Sequence, residues 1–430
     1  MTDQIKKRLR LGDGIHLNII ENSSSKYNSL VVYFIDSLNP ENASLASLLA
    51  RVLTRGSEKY PTSRDMSRAL DNCYSAGLGA GTSKQGDRLV MSVSAVSLAD
   101  RYSLDNESIT SEIIAIFEDV LFHPYTENGC FEAGRVESEK KNAVDAIRAV
   151  LNNKRSYASK RAIELMFDGD PYSSSEIGEE KIIESITPEA LTAYYKKLLK
   201  TAEIEIFSVG QADERVIGDS VRKMFDGMER RAVLPSSRAF EPKNAEPREI
   251  TERMDVKQGN LVMGFTHGIT SSSSELYAMT MCNSVLGGSL TGKLFTVLRE
   301  QMSLCYSIFS ACNYEKGTMM VHAGINPTDR DKTVRETLER IKEIKAGDIS
   351  DKEISDSKND IINRLSSFAD NPSSLPAWYL PKVIGKDTEK EIPTPSFVAS
   401  RIEKITREDI VRVAERIKLD TVYFLTEKEN

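Results

Sequence analysis

Apolar positions along this chain change period in a repeated order. Leu30-Val-Val-Tyr-Phe34, Leu89-Val-Met-Ser-Val-Ser-Ala95 and Glu203-Ile-Glu-Ile-Phe-Ser-Val209 are short runs rich in β-branched and aromatic residues, the signature of half-buried strands. Leu45, Leu48, Leu49, Val52 and Leu53 recur instead at helical spacing and predict a helix from about Asn42 with one buried stripe. Three longer amphipathic stretches, Glu132 to Leu151, Arg155 to Phe167 and Asp331 to Ile344, predict further helices. The order is strand, two helices, a strand hairpin, long helices, then a last helix and strand. It predicts an α+β fold with mostly antiparallel strands.

The same order occurs twice, at a nearly constant separation. Leu30-Val-Val-Tyr-Phe34 is matched by Leu261-Val-Met-Gly-Phe265. Gly56-Ser57 and Cys73-Tyr74 are matched by Gly288-Ser289 and Cys305-Tyr306. Gly86 precedes one strand-like run, and Gly317 precedes Met319-Met-Val-His-Ala323 in the same way. Ser185-Ile-Thr-Pro-Glu-Ala-Leu191 parallels Lys404-Ile-Thr-Arg-Glu-Asp-Ile410, and each leads into a strand, the second being Thr421-Val-Tyr-Phe-Leu425. Thr187 and Thr406 are the expected helix caps, since a threonine oxygen accepts an unpaired N–H of the first turn. Five ordered matches point to a duplication. The proline-bearing segment 230–247 reads as a linker between an N-terminal half, 1–229, and a C-terminal half, 248–430.

Composition narrows the classes. Forty per cent hydrophobic and 28% charged residues over 430 positions describe a globular protein with material for several cores. A net charge of −7 with no long basic run disfavours nucleic acid and anionic membranes. No apolar stretch follows the basic start, and no run approaches a membrane span. Five cysteines (Cys73, Cys130, Cys282, Cys305 and Cys312) without a C-x-x-C pair read as reduced thiols, so the expected location is cytoplasmic. The four histidines, His16, His123, His267 and His322, have no histidine or cysteine at ligand spacing.

The segment from Asn42 ends in Arg55-Gly-Ser-Glu-Lys-Tyr-Pro61. It resembles the signature helix of the M16 metallopeptidases (pitrilysin, insulinase and mitochondrial processing peptidase), where H-x-x-E-H is followed by R-G-T-x-K-Y-P. The resemblance places Ser47 and Arg51 at the two zinc-binding histidines and Ala50 at the general-base glutamate. In Glu139-Lys-Lys-Asn-Ala-Val-Asp-Ala-Ile147 it places Ala146 at the third ligand, with Asp145 beside it. Ser47, Ala50 and Arg51 share one helix face, the geometry a metal helix needs. Yet a catalytic zinc takes about three imidazole or carboxylate donors, and none of these residues is one. No metal is therefore expected in this chain. The resemblance also implies two homologous α+β halves, each of antiparallel sheets flanked by helices, closing as a clamshell around a peptide chamber.

The second half carries Leu286-Gly-Gly-Ser-Leu-Thr-Gly-Lys-Leu-Phe-Thr-Val-Leu-Arg-Glu-Gln-Met-Ser-Leu-Cys-Tyr-Ser307. It resembles the M16 stretch with L-F, R-E and G-L-[AC]-Y, with Ser303 where the family has glycine. The resemblance implies that Arg299 and Tyr306 contact bound peptide and support the transition state, and that Gly287, Gly288 and Gly292 let a chamber loop flex. The residues alone also allow Arg299 to pair with a local glutamate and Tyr306 to pack in a core. Gly287-Gly-Ser-Leu-Thr-Gly-Lys293 matches the glycine spacing of a P-loop. Leu294 replaces its serine or threonine, and a helix precedes it, so nucleotide binding is not expected. Pro372-Ser-Ser-Leu-Pro376, running into Trp378 and Tyr379, reads either as a surface contact loop or as a connection whose aromatics are buried.

These readings lead to a non-catalytic M16-like subunit that binds peptide and complements a zinc-bearing M16 partner, as a heterodimer or by self-association. The alternative is a peptide-binding or assembly protein with no part in hydrolysis. A self-sufficient peptidase with another nucleophile is disfavoured, since no G-x-S-x-G or Cys/His pair is present.

Overall fold

The computed structural model describes residues 4–104, 107–211, 213–243, 246–369 and 372–428. The apolar runs form two sheets of the same plan. The first runs across its strands in the order Ile5–Gly12, Ile15–Glu21, Glu203–Gly210, Tyr27–Ser37, Arg88–Leu98, Gly77–Gln85. Only Ile15–Glu21 and Glu203–Gly210 are parallel neighbours. The second runs Cys305–Asn313, Thr318–Ile325, Gly259–Thr266, Lys418–Glu427, Arg248–Met254, again with one parallel pair, the last two. Five strands correspond in order and sense. Ile5–Gly12 is an addition of the first half. The fold is α+β with mostly antiparallel strands.

The helices begin where side chains can cap them. Asn39 accepts from Asn42 N–H at 2.8 Å and opens Pro40–Leu53, two residues before the predicted start. Thr187 caps Pro188–Thr201, and Thr406 forms a reciprocal capping box with Asp409. The three long amphipathic stretches form Ala133–Asn152, Lys154–Met166 and Arg330–Lys345. Among the described residues no helix is long and apolar enough to cross a membrane.

Two compact bodies result, and neither is one continuous stretch of chain. The first comprises the residues up to Ile147, Ser174–Ser236 and Ser366–Pro395. The second comprises Arg148–Ser173, Ser237–Leu365 and the residues from Ser396 on. The halves 1–229 and 248–430 thus describe chain order, while the packed bodies divide differently. The reason is coverage: a sheet that is apolar on both faces needs a layer on each. In the first body Leu17, Val32, Phe34, Ile204 and Ile206 pack with Leu48, Leu49 and Val52 of the Pro40–Leu53 helix. On the opposite face Val31, Tyr33, Ile35, Phe207 and Val209 pack with Leu375, Tyr379, Leu380 and Val383, which the second half contributes. In the second body Val262, Tyr423 and Leu425 pack with Ala158 and Ala162 of Lys154–Met166, which the first half contributes.

Segment 230–247 has no regular structure where it is described, and its Asn244 and Ala245 lie outside the described residues. It is fastened all the same: Val233 N–H donates to Thr201 O at 2.8 Å, and Phe240 is buried against Phe167. Pro372–Pro376 is not a surface loop. A short 3-10 turn enters the helix Leu375–Val383, and Tyr379 is fully buried, so the reading as a connection with buried aromatics holds for it.

Candidate functional site

In the first half the chemistry-bearing positions of the signature helix are packed over. Ser47 is 7% and Ala50 2% exposed, and Arg51 is half-buried. Ala146 lies half-buried on Ala133–Asn152, beside the exposed Asp145. A hydroxyl, two methyl groups and a guanidinium are no donor set for zinc, so the residues present do not fit the ion. The turn after the helix is kept in detail. Gly56 has φ +153°, and a Cβ there would stand 2.6 Å from Tyr60 O. Ser57 N–H donates to Tyr60 O at 3.0 Å, and the Ser57 hydroxyl bonds the Asp119 carboxylate. Arg55 pairs with Glu139 and Arg135 donates to Pro61 O at 2.7 Å, which ties this turn to the helix bearing Ala146. The Pro40–Leu53 helix packs on Gly77–Gln85 and Arg88–Leu98, and Gly77–Gln85 is the outer strand of its sheet.

The second half builds its counterpart with irregular backbone. After the helix Leu276–Asn283 come two π-helical segments, Ser284–Gly288 and Leu294–Gln301, a rare geometry often found at functional sites. Arg299 lies on the second. Its guanidinium sits over the Phe295 ring at 4.6 Å and 3.7 Å from Glu300, with the side chain 41% exposed. Ser303 then turns the chain at φ +52°, the left-handed conformation that explains a glycine preference there. Tyr306 follows on the edge strand Cys305–Asn313. Cys305 pairs with Ile325 and Ser307 with Gly324, so Tyr306 is the extra residue of a bulge. Bulges re-aim side chains, and Tyr306 is 63% exposed with its hydroxyl donating to Asn326 Oδ1 at 2.9 Å. It is not a core residue. Arg299 does contact a local glutamate, yet it stays accessible, and its charge is felt at Cys305, whose thiol burial pushes up to about 11 against that charge.

The three glycines are placed differently from the flexible loop expected. Gly287 and Gly288 are inside the first π-helical segment, and Gly292 is in the bend that follows. Two of them are closely packed: a Cβ at Gly287 would stand 2.7 Å from Leu294 Cδ1, and one at Gly292 3.0 Å from Gly287 Cα. Lys293 is buried and ion-paired with Glu353 at 2.9 Å.

The histidines divide. His123 is exposed at the end of the helix Ile109–Phe122. His267 and His322 are each held down to about 4, chiefly by burial. His267 Nδ1 accepts from Ile269 N–H at 3.0 Å, and His322 stacks on Phe309 and contacts the Ser159 hydroxyl at 3.2 Å. His16 is what sequence spacing missed. Strand pairing sets it opposite Glu205, and Glu203 and Glu205 approach its ring from a distant part of the chain. Only the parallel register, invisible in local spacing, could have shown it.

Comparison with known proteins finds the following likenesses. The family profile described as the peptidase M16 inactive domain matches residues 185–361. A Bacillus subtilis (strain 168) protein described as a probable inactive metalloprotease, YmfF, is 28% identical over 412 residues, covering 96% of each chain. A conserved protein from Enterococcus faecalis V583 superposes with a TM-score of 0.88 at 25% identity over 98% of this chain and 99% of its own. A peptidase M16 inactive domain from Pseudomonas fluorescens superposes at 0.78 with 17% identity over 98% of both chains, a likeness of fold.

Proposed function

We propose that this chain is an M16-like peptidase homologue without the zinc-binding residues, and that it is the substrate-binding subunit of a two-chain peptidase. A second M16 chain with an intact H-x-x-E-H helix would supply the metal. This chain would supply Arg299 and Tyr306 to peptide carbonyls, with cytoplasmic peptides as the substrate class. The observation that carries the reading is Tyr306, bulged out of its strand into solvent with its hydroxyl oriented by Asn326. A tyrosine kept only for packing has no need of either feature. An arginine hydrogen bond to a carbonyl contributes about 1.5–3 kcal/mol, roughly ten- to a hundredfold in affinity or rate. The edge strand Gly77–Gln85 adds unpaired backbone groups onto which an extended peptide can pair.

The test is co-purification from source cells, then kinetics of the recovered complex. A stoichiometric H-x-x-E-H partner is expected, and Arg299→Ala should lower kcat/KM at least about tenfold while the two chains stay together. Unchanged turnover in that variant would sink the proposal. The contact of Arg299 with Phe295 and Glu300 favours a second reading, a peptide-holding or bracing protein with no share in hydrolysis. Peptide affinity in the isolated chain, measured by calorimetry and indifferent to Arg299→Ala, would favour it.

A further inference from the structure

Beneath the helix Leu375–Val383, on the face of the first sheet away from the signature helix, lies a buried polar cluster that the proposed function does not use. Arg8 grips Glu205 with two bonds, Nη2 to Oε1 at 2.7 Å and Nη1 to Oε2 at 2.8 Å, and donates to Asn18 Oδ1 at 2.6 Å. Asn18 Nδ2 donates to the same Glu205 Oε2 at 2.8 Å. Arg8 also donates to Lys386 O at 2.7 Å, which fastens the segment after that helix. His16 stands opposite Glu205. Its ring is nine-tenths buried, and among the described residues neither of its nitrogens has a hydrogen-bond partner. Nδ1 faces Glu203 Oε1 at 3.3 Å and Glu205 Oε1 at 3.8 Å.

We propose that His16, Glu203 and Glu205 bind a divalent transition cation of the zinc class, as a structural site separate from the lost catalytic one. The geometry carries it. Four ligands at bond lengths of about 2.0–2.2 Å around a tetrahedral ion stand roughly 3.3–3.6 Å apart. The two separations from His16 Nδ1, 3.3 and 3.8 Å, span that range, and the three ligand atoms lie within 4.8 Å of one another. Glu205 keeps a lone pair on Oε1 toward His16, and its bonds to Arg8 and Asn18 fix its orientation, as ligating carboxylates are usually held by an outer shell. Three carboxylates, Glu203, Glu205 and Asp13, and three guanidiniums, Arg8, Arg10 and Arg230, surround the ring. An imidazole with two carboxylates suits zinc, cobalt or nickel better than magnesium or calcium, which take oxygen ligands. Burial leaves no route for substrate, so the ion would tie the strands Ile15–Glu21 and Glu203–Gly210 together.

The experiment uses the full chain, stripped with chelator, loaded separately with ZnCl2 and CoCl2, and dialysed. One metal per chain is expected, with a visible d–d band for the cobalt form and a higher Tm for the loaded protein. His16→Gln and Glu203→Gln should each weaken binding more than about tenfold, while His123→Gln, at the exposed histidine, should leave it unchanged. Substoichiometric metal in the wild type, or binding that His123→Gln removes and His16→Gln retains, would overturn the proposal. Should both site variants fail to fold, X-ray absorption on the loaded wild type decides. One imidazole among oxygen donors supports the site, and a thiolate or all-oxygen shell refutes it.

Discussion

The two halves carry the same Cys-Tyr dipeptide at the entrance to an edge strand, and the tyrosines have different fates. Tyr74 sits at φ +58°, half-buried, its hydroxyl bonded by Leu104 N–H at 2.9 Å and near Glu107, a local tether. Tyr306 lies on a bulge and points into solvent. The preceding helices differ likewise. Pro40–Leu53 and Ser63–Asn72 are regular, with Ser47 and Ala50 buried and Arg51 half-buried on the first. Their counterparts pass through two π-helical segments. Where side chains still present themselves outward, the backbone stays irregular to aim them.

The sharpest way to break this contrast is to rebuild the lost site. Ser47→His, Ala50→Glu and Arg51→His together should destabilise the chain by about 4 kcal/mol or more, read by urea unfolding. Overpacking costs about 1–3 kcal/mol at each buried position, and Ala50→Glu also buries a carboxylate. Zinc binding at native stability would mean that the first half is an emptied scaffold rather than a closed one. Next in size is the paired glycine: Gly56→Ala should cost about 3 kcal/mol, having both a left-handed φ and a backbone clash. Gly288→Ala should cost only about 1 kcal/mol, because its closest neighbour is the mobile end of Asn283. Equal costs would erase the difference between the two turns.

Acid sensitivity should reside in the second body. His267 and His322 titrate at about 4 when folded and near 6.5 when unfolded. Between those values the unfolded chain binds protons that the folded one does not, so stability falls as pH falls through this window. The loss is on the order of 2–3 kcal/mol per histidine. Urea midpoints at pH 7 and 4.5 should converge in His267→Gln and His322→Gln relative to wild type, and an unchanged pH slope would contradict this. Smallest is Ser303→Gly. Left-handed strain of about 1–2 kcal/mol is relieved, and about 0.5–1 kcal/mol returns as backbone entropy. The expected outcome in thermal unfolding is a net gain of about 0.5 kcal/mol. A loss would mean that the serine side chain contributes at the turn.

Much of the fold was legible because strand and helix periods and the threonine caps are local signals. Thr187, Thr406 and the three amphipathic helices fall where periodicity places them. The exchange of helices between sheets was not legible, since Tyr379 and Ala162 look like core residues of any neighbour. At the site, the shared helix face of Ser47, Ala50 and Arg51 could be read from their spacing. The bulge at Tyr306 could not, because it arises from how Cys305 and Ser307 register on Ile325 and Gly324. Nor could the packing role of Gly287 and Gly292, where a flexible loop and a tight contact ask for the same residue.

The exchange of helices sets a schedule for the nascent chain. Val31, Tyr33, Ile35, Phe207 and Val209 wait for Leu375 to Val383 to cover their face of the first sheet. At roughly 5–20 residues per second, that cover arrives on the order of ten to forty seconds after the last strand of the sheet is made. Throughout that interval the ribosome-bound chain displays an oily β-surface, a natural client for a holding chaperone. Expression of residues 1–229 alone should yield aggregates, because the missing cover, Leu375–Val383, is encoded after them.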